Sequence, residues 1–258
     1  MENKKGKILT VTSMKGGVGK TTTVMMLADI FSKYDKKVLV IDLDLYNGNL
    51  AFAYNVKVKN SIYNLCDDMA NNRLVDGINR DYITKVNDSI DLIGAPKDPR
   101  QANKIDNRVL STILDSLVFL YDVIVIDTNH ILNICNMIAF EHSYKIIDVF
   151  TNDSFDLQST KSFVAICKNM EVDNLVLLLN NAVDSRKSYF SNYDIKHITK
   201  KNIDYTISSN LYLKNFDQLV MDGKLSNFDL AYKGDSKKYL ENFAECMINL
   251  ITEKGGKK

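Results

Sequence analysis

Seven short apolar runs punctuate the chain with helix-period segments between them, and this alternation restricts the fold more than any other feature. The runs read KILTVTS (7–13), KVLVID (37–42), IDLIG (90–94), DVIVID (122–127), YKIIDVF (144–150), NLVLLLN (174–180) and IDYTI (203–207). Several are apolar on both faces, which suits parallel strands covered by helices on each side. Helical spacing predicts amphipathic helices through Val24, Leu27, Ala28 and Phe31, through Leu110, Ile113, Leu114 and Leu117, and through Phe163, Ile166, Cys167 and Met170. A last one carries Leu240, Phe243, Ala244, Met247 and Ile251. The expected class is α/β, a single doubly wound, mostly parallel sheet with helices on both faces, forming one domain over residues 1–258. Right-handed crossovers then gather the carboxyl ends of the parallel strands on one edge, where ligands bind. Pro96 and Pro99 both follow IDLIG and mark a loop, not a linker.

The stretch SMKGGVGKTT (13–22) stands at the first strand-to-helix junction. Gly19-Lys20-Thr21 fits the end of the phosphate-loop pattern G-x-x-x-x-G-K-[ST], but the pattern's first glycine falls on Met14, and a second lysine, Lys15, follows it. Gly16, Gly17 and Gly19 permit positive φ and let phosphate oxygens approach the backbone. Successive N–H groups through Val18 to Thr22 then form an anion cradle at a helix starting near Thr21. In that geometry Lys20 meets the β- and γ-phosphates and the Thr21 hydroxyl ligates Mg²⁺. A glycine-rich turn with two solvated lysines accounts for the residues less well, because the motif's strand–loop–helix context is present.

Carboxylates close the neighbouring runs. KVLVID-LD ends on Asp42 and Asp44, and DVIVID ends on Asp127. One aspartate after a strand is commonly a turn residue. Three at the mouth of one sheet, opposite a phosphate loop, suit a magnesium nucleotide site: Asp127 and Asp42 support the metal's water shell and Asp44 orients the attacking water.

The segment from Lys15 through Gly16, Gly17, Val18, Gly19 and Lys20 to Thr21 resembles the deviant Walker A loop of the ParA/MinD superfamily of ATPases, whose additional lysine stands at the position of Lys15. DVIVID resembles that superfamily's Walker B strand, and DLDLYNGNLA (42–51) its second motif. DLDLYNGNLA together with SIDLIGAPKDPRQANK (89–104) is most similar to the CpaE/TadZ branch, which helps place Tad-type pilus machinery. The resemblance covers most of the chain. It implies a P-loop NTPase fold, ATP and Mg²⁺ as cofactors, slow hydrolysis, and an ATP-sandwich homodimer in which Lys15 acts on the partner's phosphates beside the catalytic Lys20 and Asp44. Protein components of a pilus or other surface machinery are the implied partners. In the family an asparagine ending a late strand contacts the adenine edge; Asn180 in LVLLLNN takes that place, with Asn181 as the alternative. Three further readings stay open: a partitioning ATPase that binds DNA without sequence preference, a MinD-like positioning ATPase, and an ATP-dependent scaffold that barely turns over. Two departures from the family pattern are the Thr-Asn-His that follows Asp127, where relatives often have proline, and the proline-free ISSN (207–210).

Composition narrows the partners. Lys plus Arg total 33 against 32 for Asp plus Glu, a net charge of +1, so no global field favours nucleic acid or membrane. A solvated helix face accounts for the basic KHITKK (196–201) better than a nucleic-acid contact does. Cys66, Cys135, Cys167 and Cys246 show no C-x-x-C spacing and read as reduced, buried thiols of a cytosolic protein. Cys135 has no companion in GAPKDPR, which argues against an iron–sulfur cluster, and the isolated His130, His142 and His197 read as solvated or capping residues. The charged start MENKKGK runs straight into a strand without a secretory signal. No apolar run reaches the roughly 18 residues of a bilayer span. The final TEKGGKK has no apolar residue to insert, so no membrane anchor is expected there. The expected location is the cytoplasm, with protein partners providing any recruitment to the membrane's inner face.

Overall fold

A computed structural model of the chain describes residues 5–74, 77–183 and 189–252. Val38–Leu43 (β2) and Val123–Thr128 (β5) are buried at every position, as strands between two helical layers must be. The remaining strands are Lys7–Thr12 (β1), Thr84–Lys85 (β3), Ile90–Ile93 (β4), Lys145–Phe150 (β6), Leu175–Asn180 (β7) and Tyr205–Ile207 (β8). They form one sheet in the order β3-β4-β2-β5-β1-β6-β7-β8. All seven expected runs form strands, shifted by at most two residues at an end. The strand not anticipated is β3, two residues paired antiparallel to β4, Thr84 with Leu92 and Lys85 with Asp91. It is too short for an alternating pattern to show.

The helices are Lys20–Lys33 (α1), Leu50–Ala53 (α2), Ile62–Ala70 (α3), Asn107–Leu117 (α4), Ile134–Glu141 (α5), Ser154–Asn169 (α6), Asn192–Thr199 (α7), Phe216–Met221 (α8) and Asp235–Thr252 (α9). Strand alternation splits the core into two layers. Leu9, Val11, Val38 and Val40 face α1 and the Leu240–Ile251 stripe of α9. Ile8, Leu39, Ile41, Ile124 and Ile126 face α3, α4 and α5, and Ile146, Phe150, Leu177 and Leu179 face α6 and α7. Because α1 is buried almost all round, from Thr23 to Phe31, it forms a rigid post directly behind the phosphate loop. Truncating the fully buried Phe31 to alanine would cost about 3–5 kcal/mol.

Two sequence expectations are corrected. Cys246 is exposed, not buried, because the buried stripe of α9 passes through Phe243, Ala244 and Met247 and turns position 246 outward. Ile166 and Met170 are 38% and 51% exposed, since α6 packs through Leu157, Thr160, Phe163 and Cys167 instead. Among the described residues no helix is long and apolar enough to cross a membrane. The tail beyond Thr252, expected not to be an anchor, lies outside the described residues.

Candidate functional site

The loop between β1 and α1 is shaped by two glycines. Gly17 and Gly19 have φ of 79° and 92°, values that L side chains adopt only with strain. Gly16 does not share the positive φ, yet a Cβ at 16 or 17 would meet nothing within 4 Å, so the loop faces open space. The helix starts at Lys20, one residue earlier than expected, and aims its unpaired N–H groups into that space. Lys20 is buried and its ammonium donates to Ser13 Oγ at 3.0 Å, while the Ser13 hydroxyl donates to Lys15 O at 2.6 Å. Burial lowers the Lys20 pKa, and the charges of Asp127, Asp44, Asp148 and Asp156 oppose that shift. Lys20 thus sits among the acidic side chains of the elements around it.

Strand order assembles the acidic side. With β5 between β1 and β2, Asp127 lies in register with both Val11 and Asp42. The Thr21 hydroxyl donates to Asp127 Oδ2 at 2.6 Å, and Asp127 Oδ1 is buried without a partner. An orphaned carboxylate oxygen beside a phosphate cradle matches the demand of a hydrated divalent cation. Burial first, then the adjacent Asp127 charge, pushes Asp42 well above the usual carboxylate range, and burial likewise raises Asp127. Asp42 also closes its own loop: its two oxygens accept the N–H groups of Asp44 at 3.2 Å and Leu50 at 3.1 Å. Gly48 is needed there, because a Cβ would stand 2.8 Å from Asp42 Oδ2. Asp44 is half-buried and accepts the Asn47 N–H at 3.2 Å, which points its carboxylate along the same rim.

On the other flank, β7 ends in Asn180, whose Nδ2 donates to Val18 O at 2.9 Å and whose Oδ1 accepts the Ala182 N–H at 2.9 Å. The amide thus ties the phosphate loop to β7. Asn181 donates its N–H to Ile207 O and joins β7 to the end of β8. Asn180, Gly19 and Thr22 line a cavity of about 250 Å³ together with Leu211, Leu213 and Phe216. A flat base bounded by apolar side chains and one amide suits such a space. Leu211, Leu213 and Phe216 escaped sequence reading because they lie in a short 3-10 turn, a loop and the first residue of the six-residue α8, elements too short to show a period.

The second lysine has a partner of its own. Lys15 Nζ lies 2.7 Å from Asp153 Oδ2, with the two side chains 41% and 37% exposed. Asp153 also caps α6 by accepting the N–H groups of Phe155 and Asp156, each at 3.1 Å. Partial burial raises Asp153, but the Lys15 contact and the Asp156 N–H outweigh it and hold the carboxyl below its ordinary value. Further inside, burial and then the Asp156 charge push Asp148 on β6 well above the usual carboxylate range. Neither Asp148 nor Asp153 was legible as a site residue. The turn after β5 that lacks proline is held by Asn129, whose Oδ1 accepts from Ile131 N at 2.9 Å and Asn136 Nδ2 at 3.1 Å. Of the histidines, His142 ends α5 and contacts Ile138 O, and His130 and His197 are exposed.

Residues 6–183 match the family described as an AAA domain. The chain is 32% identical over 121 residues to an uncharacterized ATP-binding protein of Methanocaldococcus jannaschii, a stretch covering 46% of this chain and 43% of that one. It is 31% identical over 99 residues to the chromosome-partitioning ATPase Soj of Thermus thermophilus, covering 36% and 39%. The matched stretches thus span less than half the length of these curated relatives. The fold is that of the ParA family ATPase from Chlorobium tepidum, with a TM-score of 0.80, 20% identity and coverage of 93% and 98%. The septum site-determining protein MinD of Pyrococcus horikoshii, complexed with Mg-ADP, superposes with a TM-score of 0.69 at 22% identity, covering 95% and 94%.

Proposed function

Because the chain belongs to the AAA-domain family, within the ParA/MinD superfamily, we propose that it is a single ATPase domain that binds Mg·ATP at the carboxyl edge of the sheet. It pairs there with a second copy and hydrolyses the nucleotide slowly, in the cytoplasm. One observation carries the reading: a cradle with Gly17 and Gly19 at positive φ meets Lys20, Thr21 and an Asp127 whose inner oxygen is unpartnered. Thr21 would hold Mg²⁺ directly, with Asp127 and Asp42 behind it through water; the ion would supply neutralising charge to the phosphate oxygens.

The chain's own groups do the rest. Loop N–H groups hold the phosphates, and Lys20 exchanges Ser13 for phosphate oxygens. Asp44 orients a water in line with the γ-phosphorus, so that a new O–P bond forms as the bridge to the β-phosphate breaks, its electrons leaving on ADP and the water's proton passing to an oxygen of the released phosphate. The apolar cavity beside Asn180 takes the base. Lys15 leaves Asp153 to meet the phosphates of the second copy, which links dimerisation to turnover. The cellular task is spatial, the recruitment or positioning of a surface assembly of the Tad pilus kind, supported by the likeness of residues 42–51 and 89–104 to the CpaE/TadZ branch. A second reading, a partitioning ATPase on DNA, draws on the likeness to Soj and on exposed Lys196, His197 and Lys200 at α7; DNA affinity that falls steeply with salt would favour it.

Binding of a fluorescent ATP analogue, with magnesium and with chelator, tests the site. Thr21→Ala should weaken binding about tenfold or more in magnesium, a difference of ~1.4 kcal/mol, and match wild type in chelator. A wild-type protein that fails to bind, or a variant unaffected by magnesium, would remove the proposal.

A further inference from the structure

Asp44 sits on the loop 44–49 between β2 and α2, and its direction depends on what holds that loop. The root is pinned by one side chain: Asp42 accepts the N–H groups of Asp44 and Leu50, tying the first residue of the loop to the start of α2. Within the loop, the Asn47 N–H reaches Asp44 O at 3.1 Å and Asp44 Oδ1 at 3.2 Å, and Asn49 Nδ2 donates to Asn47 O at 2.8 Å. These bonds fix the Asp44 carboxylate relative to its own turn, not relative to the sheet. Leu45 is buried, but Tyr46, Asn47, Gly48 and Asn49 are exposed, so the outer part of the loop needs a hold beyond itself. The chain after β4 supplies two. A Cβ at Gly48 would fall 2.2 Å from Ala95 Cβ, which shows how closely the loop backbone lies against that residue. The Tyr46 hydroxyl donates to Asn103 Oδ1 at 2.6 Å, across 57 positions. Asn103 is a firm point. Its short 3-10 helix, Pro99–Lys104, is capped by Asp98, which accepts the Arg100 N–H at 3.0 Å, and the neighbouring Ala102 and Ile105 are buried in the same core layer as Leu45.

We propose that Tyr46 is a positioning residue for hydrolysis: its hydroxyl, held by Asn103, fixes the loop that carries Asp44 so that the carboxylate faces the attacking water. This rests on the ATPase reading, in which Asp44 orients that water. Tyr46 lies inside the turn that Asp44 and Asn47 close, so a shift of its backbone carries the Asp44 carboxylate with it. Its place at the surface separates this role from stability. The ring is 44% exposed and adds little to the core, while the Asp42 bonds and the buried Leu45 keep the loop folded without the hydroxyl. An exposed hydrogen bond between uncharged groups contributes little to folding. An in-line attack is far more sensitive, because a misplacement of about 1 Å lowers the rate by as much as about a hundredfold.

Steady-state phosphate release with Mg·ATP, read beside binding of a fluorescent ATP analogue, gel filtration and melting temperature, is the test. Tyr46→Phe should lower kcat about threefold to tenfold, the range that one hydrogen bond can contribute, while KM, analogue affinity, dimer formation and melting temperature stay at wild-type values. Asn103→Ala should give the same loss, and Asn103→Asp, which keeps an acceptor at that point, should recover most of it. Tyr46→Phe combined with Asn103→Ala should be no slower than either alone. In an Asp44→Ala background Tyr46→Phe should change nothing further, because Tyr46 acts through Asp44. Turnover of Tyr46→Phe equal to wild type, losses that multiply in the double variant, or a fall in kcat matched by a higher KM or a lower melting temperature would each overturn the proposal. The two readings fail separately. With Asp44→Ala slow and Tyr46→Phe normal, only the positioning role is lost, whereas Asp44→Ala turning over like wild type refutes the role of Asp44 and the proposal with it.

Discussion

Replacing Lys15 by alanine separates stability from turnover, and the structure sets the size of each effect. The Lys15–Asp153 pair is short but half-exposed, and such pairs contribute about 0.2–1 kcal/mol, less as salt screens them. Asp153 keeps its capping bonds to α6 when Lys15 is gone. The variant should therefore lose under about 1 kcal/mol of stability and melt lower by about 4 °C or less. In the proposed dimer the same weakness would let Lys15 exchange partners: a phosphate oxygen in a closed, dry interface would offer a charge-assisted contact of about 1.5–3 kcal/mol, more than the pair it leaves. Turnover in Lys15→Ala should fall about tenfold or more, a barrier rise of ~1.4 kcal/mol, with nucleotide affinity of the single subunit nearly unchanged. Phosphate release as a function of protein concentration, read beside analogue binding and light scattering with Mg·ATP, measures all three quantities. Lys20→Ala should behave oppositely and lose affinity first. If Lys15→Ala dimerises and releases phosphate at the wild-type rate, Lys15 has no role across an interface. If its melting temperature collapses, the account of a replaceable surface pair is wrong.

Gly19→Ala places a Cβ 2.5 Å from Asn180 Nδ2 on a residue with φ of 92°, so urea unfolding should show a loss of about 1–3 kcal/mol; adding Asn180→Ala should relieve the clash but not the backbone strain, and a single variant as stable as wild type would refute the argument. Asp44→Ala should retain nucleotide and slow phosphate release, leaving a persistent dimer in gel filtration with Mg·ATP; a variant unable to bind nucleotide would make Asp44 a structural residue. Cys246 should be the one thiol that reacts quickly in the folded protein, because burial pushes the Cys66 thiol up to about 12 and the Cys167 thiol up to about 11. Equal labelling of two or more thiols before unfolding would contradict the burial pattern.

The sequence by itself determined the strands and the chemistry of the loop. A run such as KVLVID is apolar on both faces whatever its neighbours, so its burial between helices is written locally. The glycines and Lys20-Thr21 likewise state their backbone needs and charges within a few residues. What only the tertiary structure decided is which distant residues meet. Lys15 finds Asp153 across 138 positions and Asn180 finds Val18 across 162, because β6 and β7 follow β1 in the sheet. Placing β5 between β1 and β2 joins Thr21 and Asp42 to Asp127 at one end of the sheet. The outward turn of Cys246 and of Ile166 depends on where α9 and α6 rest against the sheet. Periodicity tells a residue's side within its own element. Strand order and helix placement, which set every one of these contacts, arise from packing among elements far apart in the chain and leave no mark in any local pattern.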